Sequence, residues 1–250
     1  MNRTQKIVFV GLLLIYACSA FLTYTLFLDQ LALTAGIPLP ESTIPPIVLG
    51  LANAGIVLVL YGLLGLIGDR FATRLGLPGI FSTEGNWHRW FVMPLVIGIV
   101  CGLLVTLGDI LFAPINGFGR LVHPPFPVSI LASLSAGIGE EILFRGFVFG
   151  LWAIILNWLL KRFDRRALTL WIANVIAAIA FGAGHLGTLL VLTGATSLSE
   201  LNPILIIGII LLNGVIGLAA GGRYMKDGLV AAVVIHFWTD IVFHVIWGLL

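Results

Sequence analysis

Three stretches of this 250-residue chain carry ionisable side chains where the surrounding sequence is apolar. They read Gly139-Glu140-Glu141-Ile142-Leu143-Phe144-Arg145-Gly146, Phe181-Gly182-Ala183-Gly184-His185, and His236-Phe237-Trp238-Thr239-Asp240, the last followed by His244. Carboxylates and imidazoles move protons and activate water near neutral pH, so such a set could hydrolyse a substrate, relay protons or ligate a metal. On a helix, Glu141 and Arg145 are four apart, share a face and can pair. Glu140 lies about 100° around the helix from Glu141. Five residues from Arg145, it is the less neutralised carboxylate and the better general base. His236, Asp240 and His244 recur at successive turns of one face. His185 stands in a glycine-flanked stretch that another backbone, or a substrate, can approach closely.

Taken singly, each group has a plain structural explanation. Glu141–Arg145 could be a buried ion pair, and His185, His236 or Asp240 could each be a core side chain with a hydrogen-bonded partner. Taken together they need more. A charge at the bilayer centre costs at least about 2.5–3.5 kcal/mol on an insertion scale, and a bundle built only for stability has no need of six polar groups on three helices. His244, near the outer end of the last helix, and Asp109, near a helix terminus, are read as structural. Trp238 and Trp247 are read as packing or interfacial anchors. Cys18 and Cys101 lie inside apolar runs with no CxxC spacing, and are read as packing residues.

The elements that position these groups follow from composition. Hydrophobic residues make up 60% of the chain and charged residues 10%, against about 25% charged in an ordinary soluble domain. With a mean hydropathy of +1.13 and a net charge of +2, a soluble enzyme, a disordered protein and a nucleic-acid binder are excluded. The expected architecture is all-α: a polytopic transmembrane helix bundle of about seven to eight spans around a polar intramembrane cavity. Apolar runs long enough to span occur at 7–28, 44–68, 91–112, 128–160, 167–192, 203–220 and 229–249. The fourth is long enough to tilt, to break near Gly146 or Gly150, or to protrude. An eighth, re-entrant segment could fit in 69–90 or 113–127. The whole chain, 1–250, is read as one membrane domain, with 1–127 as scaffold helices and 128–250 as the motif-bearing catalytic helices.

Orientation follows from the basic residues. The N-terminus (Arg3, Lys6) and the loops 69–90 (Arg70, Arg74, Arg89), 161–166 (Lys161, Arg162, Arg165, Arg166) and 221–228 (Arg223, Lys226) carry eleven; the alternate loops 29–43, 113–127 and 193–202 carry only Arg120. The N-terminus is therefore expected in the cytoplasm. The first apolar run is too long for a signal-peptide core and no A-x-A site closes it, so it reads as an uncleaved helix. Gly98/Gly102, Gly146/Gly150 and Gly217/Gly221 are GxxxG pairs suited to close helix crossings. One depth mismatch stands out. At 1.5 Å per residue, His236 lies about 10 Å from the start of its span, while His185 and Glu140 lie about 27–30 Å from the same-side ends of theirs. A single site requires these depths to converge, for which the fourth and fifth spans would extend beyond the bilayer.

The ordered trio Glu140-Glu141-x-x-x-Arg145, Phe181-x-x-x-His185 and His236-x-x-x-Asp240, each on its own apolar helix, resembles the CPBP intramembrane proteases. These comprise the CAAX-processing endopeptidases and their bacterial relatives, some associated with bacteriocin processing or self-immunity. The resemblance covers roughly residues 128–244; the first half of the chain is similar only as generic membrane helices. It implies an intramembrane endopeptidase in which Glu140 activates water and His185 helps to hold it. His236 and the residue at 240 would stabilise the oxyanion, and Glu141, Arg145 and Phe181 would support the motifs. Many members place Asn at the last position. An amide donates to an oxyanion and an ionised carboxylate cannot, so Asp240 is protonated by burial, accepts from His236 and fixes that ring, or ligates a metal. The i, i+4 spacing favours the second role.

Glu, His, His and Asp are acceptable zinc ligands, but HExxH is absent and the donors come from three helices; no cofactor is assigned, with zinc as the alternative. The expected partners are a peptide or membrane-protein substrate and the lipid bilayer, with no nucleic acid. The expected location is a prokaryotic cytoplasmic membrane. The rival classes are a non-catalytic membrane pseudoprotease or bacteriocin self-immunity or binding protein, and an ion-coupled transporter. The transporter lacks the internal repeat it would need.

Overall fold

The computed structural model describes residues 1–36, 43–160 and 165–250. Among these, seven helices are long and apolar enough to cross a membrane, and no strand occurs. They are α1 (Arg3–Leu26), α3 (Pro46–Leu75), α4 (His88–Phe112), α5 (Val128–Leu159), α6 (Arg166–Thr193), α7 (Pro203–Asp227) and α8 (Leu229–Leu249). They lie where the hydropathy placed them. No eighth span occurs among the described residues: 113–127 runs as turns and coil, and 69–90 holds the ends of α3 and α4 joined by turns. Lys161 and Arg162 of the basic loop, and part of the 29–43 loop, lie outside the described residues. One short helix, α2 (Leu28–Ala35), follows α1 in a segment expected to be loop. Phe27 leaves helical geometry at φ −129°, ψ 7°, and the helix restarts and ends at Gly36 in the left-handed region.

The helices are unequally buried. In α8, 67% of the most apolar window is inside the protein; in α3, 17% is. α8 is therefore the central post, and helices such as α3 expose Leu51, Val59 and Leu63 as a lipid-facing surface must. All three GxxxG pairs sit at helix crossings. Gly98 and Gly102 of α4 meet Ile235, Trp238, Thr239 and Val242 of α8. Gly146 and Gly150 of α5 meet Gly68 and Phe71 of α3. Gly217 and Gly221 of α7 meet Ala178 and Asn174 of α6.

α5 does not break at its glycines. Over Ile142–Phe149 it widens to a π-helix, and α8 does the same over Ile241–Ile246. Each widening starts on the residue after a polar motif position, Glu141 and Asp240, a placement common at functional sites.

The depth mismatch is resolved by α8. Its first residues, Leu229 and Val230, are 2% and 8% exposed, and their N–H groups donate to the carbonyls of Gly79 (2.9 Å) and Ile80 (3.0 Å). The loop between α3 and α4 thus supplies the acceptors that orphan N–H groups at a helix start require, and α8 begins recessed inside the bundle. Gly228 makes this possible, with φ 92° and its Cα against the backbone of Phe81, where a Cβ has no room. Asp227, fully buried, accepts from Arg89 Nε (2.7 Å) and pairs with Arg223, closing this end.

Candidate active site

α5, α6 and α8 bring the three motifs to one place. Glu140 Oε2 lies 3.8 Å from His185 Nε2 and 3.9 Å from His236 Nε2, and His236 Nε2 lies 3.7 Å from Asp240 Oδ2. All four side chains line one cavity of about 220 Å3, whose walls are otherwise mostly apolar. It occupies the space between the first half of α5 (Ala132, Ser133, Ala136) and the end of α6 (Thr188, Leu189, Leu192). There the two helices diverge; they pack together mainly through 142–159 and 166–184.

The adjacent carboxylates have opposite surroundings. Glu141 has no exposure: its Oε1 accepts from His236 Nδ1 at 2.8 Å and its Oε2 lies 3.1 Å from Arg145 Nε. Glu140 keeps a third of its side chain exposed, and its Oε2 has no hydrogen-bond partner among the described residues. One residue of helix rotation separates a buried carboxylate, bonded through Oε1 and ion-paired through Oε2, from a partly exposed one.

This corrects the expectation that Asp240 orients His236. At 3.7 Å, Asp240 is beyond hydrogen-bond reach, while Glu141 makes a short charge-assisted bond from the neighbouring helix. The i, i+4 spacing within α8 puts Asp240 near the ring, but α5 crosses closer.

Arg145, also fully buried, is held by Glu141 and by the Phe181 ring, 4.8 Å from its guanidinium carbon. Phe181 stands between the motifs, with ring centroids 5.0 Å from His185 and 5.3 Å from His236. Its carbonyl lies 2.9 Å from His185 Nδ1. A carbonyl only accepts, so Nδ1 carries a proton, and if the ring carries no second proton Nε2 is an acceptor facing Glu140. The helix is interrupted at His185, between Arg166–Gly184 and Leu186–Thr193.

The remaining polar residues form a cover. Asp109 accepts from the Leu121 N–H (3.0 Å) and from Trp247 Nε1 (3.3 Å), and Arg120 lies 4.7 Å over the Trp247 ring. His244 lines the cavity, and its Nδ1 is 3.1 Å from Nδ1 of His123 in the 113–127 segment. Burial holds His123 below the ordinary histidine pKa. These contacts lay 113–127 against the ends of α4 and α8, with Leu121, Val122 and Pro124 on the cavity. His123 was not singled out in the sequence: it sits in a loop, outside any helical period.

No three His, Cys, Asp or Glu side chains among the described residues group so as to hold a metal ion. In a tetrahedral zinc site the donors lie about 3.4 Å apart, from bonds of about 2.1 Å. Those around Glu140 are spaced at 3.7–3.9 Å, so the set as folded does not fit zinc, and no step is derived through it.

The three motifs in order, on three helices converging on one cavity, are the decisive observation. Residues 122–242 match the family model described as type II CAAX prenyl endopeptidase Rce1-like. The matched segment is just under half of the chain and contains every motif residue. It bears out the resemblance to the CPBP proteases, and with seven apolar helices it makes the chain an integral membrane protein similar to membrane endopeptidases. Neither a curated protein nor a solved structure matches the chain.

Proposed function

We propose that this protein is an intramembrane endopeptidase that hydrolyses peptide bonds with a water activated by Glu140. The observation that carries the reading is the polarity of the groups around Glu140 Oε2. The carboxylate and His185 Nε2 are both acceptors, 3.8 Å apart. A water between them donates one proton to each, and its lone pair is then directed into the cavity. Attack on a scissile carbonyl moves one water proton to Glu140. Collapse of the tetrahedral intermediate breaks the C–N bond, and Glu140 returns that proton to the leaving amine.

The developing oxyanion needs a donor. The His236 Nδ1 proton is engaged by Glu141, so Nε2 donates into the cavity only in the imidazolium form. Glu141 bonds the ring at 2.8 Å, and Glu140 and Asp240 lie further off, at 3.9 and 3.7 Å, where they favour such a cation less. In this reading Asp240 contributes charge beside the ring, and Glu141, with Arg145 behind it, is the positioning residue.

The test compares purified wild type with Glu140→Gln in detergent, incubated with a diverse peptide mixture with and without a chelator, with new termini read by mass spectrometry. Cleavage by wild type alone, insensitive to chelator, is the expected result. Equal cleavage by both proteins would overturn the role of Glu140. Silence from both would favour a non-catalytic binding protein, and loss of cleavage with chelator would reinstate a metal.

A further inference from the structure

Asn213 is a polar residue of the cavity wall that the hydrolytic chemistry does not use. It stands on α7, whose cavity residues Ile209, Leu212, Asn213 and Ile216 recur at spacings of three and four along one face. Asparagine is a costly choice in a spanning helix, because its amide leaves water and its short side chain competes for backbone hydrogen bonds. The bond it makes does not account for that cost. Nδ2 donates to the Ile209 carbonyl at 2.9 Å, one turn back on the same helix, so the amide joins α7 to no other element among the described residues. Asn174 shows the structural alternative: fully buried, it donates from α6 to the Leu218 carbonyl of α7 at 3.1 Å and joins two helices. Asn53 of α3 has the same local bond as Asn213 but does not line the cavity.

The local bond orients the Asn213 amide. A carbonyl only accepts, so Nδ2 is the atom on Ile209 and Oδ1 is left over. Oδ1 has no hydrogen-bond partner among the described residues and is not sealed in the protein, so it is available to whatever fills the cavity. The other polar side chains of the wall, outside the four motif residues, are differently placed. Ser133 and Thr239 are 1% and 0% exposed, and they donate to the carbonyls of Ser129 and of Gly98 and Ile235. His244 is engaged with His123, and Thr188 offers an exposed hydroxyl that is free to rotate. Asn213 is the neutral acceptor held in a fixed orientation.

A polypeptide entering walls that are mostly apolar loses the water on its own N–H groups, and each one left unpaired is costly. We propose that Asn213 is a substrate-binding residue: its Oδ1 accepts a hydrogen bond from a backbone N–H of an extended polypeptide held in the cavity. That the occupant is a substrate rests on the hydrolytic reading above; the free acceptor does not. A bond to backbone is indifferent to the side chains it passes. It therefore holds chains of different sequence in one register while Glu140 works on the peptide bond presented to it.

The test uses full-length protein in detergent and a peptide from the diverse mixture that wild type cleaves. The peptide is remade as a series in which one backbone N–H at a time, outside the scissile bond, is replaced by an ester oxygen. Asn213→Leu removes the amide and keeps the approximate shape of the side chain. On the parent peptide this variant is expected to show kcat/KM about tenfold lower, mainly through KM, at an unchanged thermal midpoint. At one position of the series, wild type is expected to lose about tenfold and Asn213→Leu less than about twofold, because in the variant the bond is already gone. Equal losses by the two proteins at every position, or a parent rate unchanged by Asn213→Leu, overturns the proposal. Asn213→Ala repeats the comparison if Asn213→Leu melts below wild type.

Binding is read separately from turnover. Fluorophore-labelled apolar peptides from the same mixture are titrated into Glu140→Gln protein, with and without Asn213→Leu, and followed by anisotropy. The Kd is expected to be about tenfold weaker with Asn213→Leu. If wild type cleaves no peptide, the hydrolytic reading fails and this ratio alone decides the role of the amide. Equal affinities, or no binding by either protein, then overturns the proposal.

Discussion

Glu140 and Glu141 are consecutive residues of one helix, and between them runs the boundary between two differently built regions. On the Glu141 side the protein is dry and full: Arg145, Phe181 and His236 surround the carboxylate and none is more than 2% exposed. On the Glu140 side the same helix faces a cavity, and the carboxylate has neighbours at 3.8 and 3.9 Å but no partner. A buried ion pair is weak evidence for stability but strongly coupled to its partners, since removing one ion leaves the other stranded. Glu140, a third exposed and with no hydrogen-bond partner at Oε2, has no such partner to strand. The pair thus divides one motif into a part that holds the site and a part that can work in it.

The sharpest way to break this division is Glu140→Gln. It is expected to lower peptide hydrolysis by about 10²–10⁴-fold, the range for a general base, while leaving the thermal midpoint in detergent unchanged. Glu141→Gln should do the opposite first. It strands Arg145 and loosens His236, and is expected to cost about 3–5 kcal/mol of stability by thermal or denaturant unfolding, with activity falling as the ring loses its orientation. Equal stability of the two variants would erase the distinction.

Gly217→Ala probes the full side from α7. Its Cβ would lie 2.8 Å from Ala178 Cβ and 3.2 Å from Arg145 Nη2, and overpacking of this kind costs about 1–3 kcal/mol. Gly187→Ala, at an exposed position of α6 with nothing within 4 Å, is the matched control and should leave the midpoint unchanged. The smallest effect is expected at Asp240→Asn. Because Asp240 does not hold His236, the amide should retain hydrolysis within about threefold, below 1 kcal/mol at 1.4 kcal/mol per factor of ten; loss of all activity would make the anionic carboxylate essential.

The sequence by itself determined the class of the fold and singled out the polar residues that the structure brings together. Seven apolar runs of spanning length leave the backbone no alternative to helices in lipid, and the cost of charge in that setting singles out Glu140, Glu141, Arg145, His185, His236 and Asp240. Helical spacing was enough to pair Glu141 with Arg145 and to separate Glu140 from both.

Spacing along one helix says nothing of what crosses it, so the partner of His236 was not legible: Glu141 reaches it from α5 at 2.8 Å, closer than Asp240 on its own helix. Nor was the depth of the site, because α8 starts inside the protein on acceptors lent by Gly79 and Ile80, about 150 residues earlier in the chain. The cover built on Asp109, His123, His244 and Trp247 depends on how loops and helix ends from distant parts of the chain fill space together. That is a property of packing, which no periodicity along the chain encodes.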